Sequence, residues 1–92
     1  MNGYVGYVLV STVPSEGHAV HQEIRHLTEV VDFCFLDGNN DLGEYDAIAR
    51  VEVPDFDAFA QFVINQIRTI PGVMSTKSLA TIVFREEAQT KQ

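Results

Sequence analysis

Hydrophobic and polar positions along this chain follow two periods, one of two residues and one near three and a half. Residues 4–13 (YVGYVLVSTV) are rich in Val and Tyr and predict a strand. In it Val5, Tyr7, Leu9 and Val13 fall on one face, and Tyr4, Val8 and Val10 on the other. Pro14 ends the strand, and Ser15 stands where a helix N-cap belongs, with Glu16 in the first turn. Val20, Ile24 and Leu27 then recur at helical spacing over residues 16–27. Residues 30–36 (VVDFCFL) predict a second strand, with Val31, Phe33 and Phe35 opposing Val30, Cys34 and Leu36. The polar run from Asp37 to Asp41 is a turn signal, and residues 45–53 (YDAIARVEV) predict a third strand. Pro54 and Asp55 open a second helix, with Asp55 as its expected N-cap. Its stripe of Phe56, Phe59, Ala60, Val63, Ile67 and Ile70 is the clearest helical pattern in the chain. Pro71-Gly72 stops it, and residues 75–84 predict the last strand.

The resulting order, βαββαβ, is that of a split βαβ fold. It predicts an α+β, ferredoxin-like domain: a four-stranded antiparallel sheet with both helices on one face. One domain is expected over residues 1–92, with a core of about 4–84 and a polar tail at 85–92. Both sheet faces carry apolar side chains, yet two helices cover only one. Apolar surface left in water costs about 25 cal/mol per Å², so a second copy of the chain is expected on the open face.

Composition narrows the partners. The 92-residue chain is 46% hydrophobic and has a formal net charge of −7. A direct nucleic-acid binder carries a basic face, and an anionic membrane surface would repel this chain. No run is long enough for a transmembrane helix, and the start lacks a signal-peptide pattern. Cys34 is the single cysteine, which excludes an intramolecular disulfide and a cysteine-based zinc site and fits a reducing cytoplasm.

Candidate chemistry is sparse. His18 and His21 are three apart on the first helix and could face one metal, but Glu23 and Arg25 nearby do not complete a site; a solvated helix face accounts for them. Asp37, Asn39 and Asp41 imitate the start of a calcium loop, but Leu42 and Ile48 stand where Gly and Glu belong, so a polar hairpin loop fits better. Cys34 reads as a small buried hydrophobe. No phosphate-binding glycine motif and no nucleophile–base–orienter set can be assembled. No metal, no cofactor and no enzymatic activity are therefore expected. Two segments remain. Gly43-Glu44-Tyr45-Asp46 enters the third strand, and Ile70-Pro71-Gly72-Val73 leads into Ser75, Thr76 and Ser78. Backbone N–H groups freed at Gly43 and Gly72 suit a carboxylate, and Asp46 suits an ammonium, which together suit a free amino acid. A plain turn, a helix stop and a polar strand start account for the same residues.

These segments, in this order, resemble the effector-binding domain of the Lrp/AsnC transcriptional regulators, the RAM domain. The resemblance runs from about Tyr4 to Phe84 and includes the opening strand from Tyr7 to Thr12. It implies a ferredoxin-like fold, dimers built from facing sheets in a dimeric α/β-barrel-like assembly, and octameric or decameric rings of those dimers. It implies an amino-acid effector bound between neighbouring dimers. Carried over by position, Gly43, Tyr45 and Asp46 line one side of the effector cleft, and Gly72, Ser75, Thr76 and Ser78 the other. The first strand begins almost at Met1, so a helix-turn-helix has no room, and the chain is similar to the stand-alone form of the domain. Such a form would act on full-length family members rather than on DNA. Two departures from the pattern are the longer connection from Asp37 to Leu42 and Ser78 in place of a threonine. The rival readings are a structural oligomerisation module without effector, a small dimeric α/β-barrel enzyme and a calcium-responsive module.

Overall fold

The computed structural model describes residues 3–36 and 45–80. Strand β1 (Tyr4–Thr12) leads through a 3₁₀ turn (Pro14–Glu16) into helix α1 (Gly17–Arg25) and strand β2 (Val30–Phe35). Strand β3 (Ala47–Val53), helix α2 (Phe56–Phe62) and strand β4 (Val73–Ala80) follow. The four strands form one sheet in the order β2-β3-β1-β4, and every neighbouring pair is antiparallel. This is the ferredoxin-like arrangement expected from the element order. The polar loop from Asp37 to Asp41 and the strand residues expected beyond Ala80 lie outside the described residues.

The core lies between one sheet face and the two helices. Val8 and Val10 of β1 and Ala49, Val51 and Val53 of β3 meet Val20 and Ile24 of α1 and Phe59 and Phe62 of α2. Small residues on the strands leave room for the phenyl rings. Gly6 is the extreme case: a Cβ there would come within 3.0 Å of the Phe59 ring, so only glycine lets α2 sit this close to β1. Asp55 caps α2 as expected, accepting a hydrogen bond from the Ala58 backbone N–H at 2.8 Å. The helix then widens into a π-helical stretch (Val63–Ile67), marked by the Arg68 N–H donating to the Val63 carbonyl at 2.9 Å. Val63, Ile67 and Ile70 stay buried, while Phe56 remains 55% exposed and packs edge-on against Tyr4.

Three expectations need correcting. Ser15 does not cap α1; it lies within the 3₁₀ turn, Glu16 holds the N-cap position, and no side chain caps the helix. Cys34 is exposed rather than buried, because β2 is an edge strand and Cys34 points away from the helices, opposite Ile48. The alternation of β2 also breaks. A register shift between Val30 and Asp32 puts both Val30 and Phe33 against the core and leaves Val31 49% exposed.

The helix-free face of the sheet carries Val5, Tyr7, Leu9, Ile48 and Leu79, placed there by strand register. Charges flank this apolar strip: Asp32, Arg50 and Glu52 on one side and Lys77 on the other. Arg50 pairs with Glu52 at 3.3 Å, and Tyr7, Asp32, Cys34, Ile48 and Arg50 line a shallow crevice. Among the described residues no helix is long and apolar enough to cross a membrane.

Candidate functional site

One end of the sheet gathers the polar groups. Here β1 finishes, β3 begins and α1 passes overhead. Asp46, just before β3, is held by its backbone on both sides. Its N–H donates to the Val10 carbonyl at 2.9 Å, and its carbonyl accepts from the Leu36 N–H at 3.0 Å. The side chain turns toward α1. Its Oδ2 accepts a hydrogen bond from the Thr12 hydroxyl at 2.6 Å, the short distance typical of a charged acceptor. Its Oδ1 lies 3.8 Å from Nε2 of His21. Both of these atoms are buried and have no hydrogen-bond partner. The His21 ring rests against Phe33 and Phe35, with centroids 5.5 and 5.0 Å away.

Thr12 and His21 were not among the residues expected to form a site. A signal for Thr12 exists: it falls in phase with Val8 and Val10, so a polar residue occupies a core-facing position, and it is buried. His21 was weighed only as a metal ligand beside His18. His18 is exposed, whereas the His21 side chain is 12% exposed and leans on an aromatic pair. The solvated-face reading therefore fails for His21. Among the described residues no cluster of three or more metal-ligating side chains occurs.

Of the residues expected to line an effector cleft, Gly43 lies outside the described residues. Tyr45 and Asp46 are half-buried beside the end of β1. Gly72 sits on the opposite flank with φ of +101°, and its carbonyl accepts from the Val13 N–H at 2.9 Å. A Cβ at Gly72 would come within 2.8 Å of both Glu16 and Val20, so the turn is closed tightly over the start of α1. Thr76 and Ser78 pair with Val10 and Val8 and share their helix-side face. Ser75 pairs with Ser11 and faces the other way. Within one chain β1 thus separates Asp46 from the hydroxyls of β4.

A hydroxyl, a carboxylate and an imidazole stand together, but their order is wrong for nucleophilic catalysis. A base must lie between the nucleophile and the carboxylate that orients it. Here the carboxylate lies between Thr12 and His21, so His21 cannot take the hydroxyl proton. The arrangement holds a negative charge in place and suits recognition of a cation.

Fold and site together describe a ferredoxin-like binding domain. The chain belongs to the Lrp/AsnC ligand binding domain family, whose model it matches over residues 5–92. The resemblance carried by the Tyr45-Asp46 and Pro71-Gly72 segments is thereby confirmed at the level of family. No curated protein matches the chain. Solved structures do. It is similar to TTHA0845 from Thermus thermophilus, with 22% identity and a TM-score of 0.77, covering 89% of this chain and 96% of that one. It is similar to the hypothetical protein PHS023 from Pyrococcus horikoshii, with 22% identity and a TM-score of 0.73, covering 90% and 93%. It also resembles the transcriptional regulator NMB0573 of Neisseria meningitidis, solved as an L-Met complex, with 23% identity and a TM-score of 0.65. That match covers 90% of this chain and 51% of the regulator, so the chain spans about half of its length.

Proposed function

We propose that this chain is a small-molecule-binding regulatory domain that recognises a free amino acid and performs no catalysis. One observation carries the reading: the Asp46 carboxylate is anchored by Thr12 through Oδ2, which leaves Oδ1 as an acceptor for a cation. An α-ammonium fits that acceptor. The Tyr45 backbone, the segment at Gly43, and Gly72, Ser75, Thr76 and Ser78 complete the cleft in this proposal. Because β1 divides these two groups within one chain, the second group comes from a neighbouring copy. The L-Met complex of the Neisseria regulator supports an amino acid as the ligand class.

Self-association belongs to the same proposal. The helix-free face places Tyr7, Ile48 and Leu79 in a strip between acidic and basic side chains, which suits a second copy facing it. Dimers of this kind closing into a ring would bring the two cleft halves together. In an intracellular setting such an assembly modulates full-length regulators of the family in trans.

A thermal-shift screen of the purified chain against the common amino acids tests this. A ligand at 100 times its dissociation constant adds about 2.7 kcal/mol of stability. One or a few amino acids should stabilise the wild type and leave Asp46→Ala unmoved. A shift that survives in Asp46→Ala removes Asp46 from the site, and the absence of any shift removes the amino-acid reading.

A further inference from the structure

His21 and Asp46 each present a buried, unpartnered atom to the other across 3.8 Å. That spacing is too long for a hydrogen bond, and both atoms are closed off from solvent. Burying a polar atom without a partner is costly, so such atoms are rarely left apart by accident. Among the described residues they form an ion-pair contact with each other. The imidazole is held in that position from behind, by Phe33 and Phe35, and from its own helix, whose neighbouring positions Val20 and Ile24 are fixed in the core.

From this geometry we infer that His21 is the chain's own occupant of the cation position on Asp46, and that a ligand ammonium must displace it to bind. The inference deepens the amino-acid reading above and rests on it for the ligand class. A carboxylate only accepts hydrogen bonds, so an imidazole that closes the remaining 3.8 Å to Oδ1 does so with a proton on Nε2, as an ammonium would. Oδ1 lies below the surface, which leaves no space for a ligand nitrogen while the ring stays in place. The other charged or titratable groups on the same helix, His18, Glu23 and Arg25, are exposed. Among the described residues Asp46 is the one ion-pair partner of His21. The ring is therefore a specificity element: it sets how strongly a ligand must hold Asp46 before it is admitted. Of the two rings beside it, Phe35 is 63% exposed.

The test has two arms, so that failure of this inference and failure of the amino-acid reading are distinguishable. In the ligand-free chain, imidazole NMR signals of His21 are followed in wild type and Asp46→Asn. His21 should move and His18 and His26 should stay; an unmoved His21 overturns the pairing whatever binds. In the second arm, titration calorimetry compares wild type, His21→Ala and His21→Gln with the amino acid found by screening. His21→Ala should bind about tenfold more tightly, the scale of one polar contact that the ligand no longer has to displace. His21→Gln keeps a donor within reach and should return affinity toward wild type. Equal or weaker binding by His21→Ala overturns the displacement, since a merely structural loss at this position would weaken the site. If no amino acid binds any of the three chains, the amino-acid reading falls, and displacement of His21 by such a ligand falls with it.

Discussion

The two helices pack on the same sheet face but are built for different tasks. Helix α2 is capped by Asp55, seats Phe59 over Gly6 and buries Phe62 as well; with its π-helical extension it supplies much of the helical side of the core. Helix α1 has no side-chain cap and buries only Val20 and Ile24 fully. Its next residue after Val20 is turned to a carboxylate. A well-packed, capped helix gives the domain its stability, and a lightly anchored one carries the polar contact. Elements that respond to ligands are drawn from the less stable parts of a structure, so this division is physically sensible.

Substitutions that separate the two helices have graded costs. Phe59→Ala removes the ring at the centre of the α2 contact and should cost about 3–5 kcal/mol, measured by urea unfolding. Gly6→Ala pushes a methyl group into that same ring and should cost about 1–3 kcal/mol. If Gly6→Ala proves neutral, α2 is free to ride outward and the close seating claimed for it is wrong. Removing the cap in Asp55→Ala should cost about 1 kcal/mol. At the start of α1 the parallel change, Ser15→Ala, should stay within about 0.5 kcal/mol, because the hydroxyl caps nothing. A loss of 1 kcal/mol there would show that α1 is capped in solution after all, and the contrast between the helices would shrink.

The architecture was readable from the chain because period and punctuation agreed along most of it, the start of α1 and the alternation of β2 excepted. The Phe59–Val63–Ile67 spacing and the Asp55 cap are local signals, and they locate the start of α2 and its buried face almost alone. What escaped depends on long-range placement. The exposure of Cys34 follows from β2 being an edge strand, which the residues of β2 do not encode. The register shift beside Asp32 is set by pairing with Arg50 and Val51, far along the chain. Asp46 was singled out from its surrounding residues, but its partners were not, since Thr12 and Asp46 are 34 positions apart and meet only when β3 pairs with β1. His21 looked like any helix-surface histidine until β2 laid two phenyl rings beside it.

The central position of β1 has a consequence for how the chain is made. This strand emerges first, yet its partners are late: Tyr4 pairs with Val53 and Gly6 with Ala80. During synthesis this central strand therefore waits with both edges unpaired until β3 is made, and with one edge open until β4 follows. Such non-local pairing slows folding and leaves an adhesive edge open in the meantime. Nascent chains stalled before β4 would lack one of the two covers of β1, so arrest after about residue 70 should produce aggregation or chaperone capture that release of the full chain relieves.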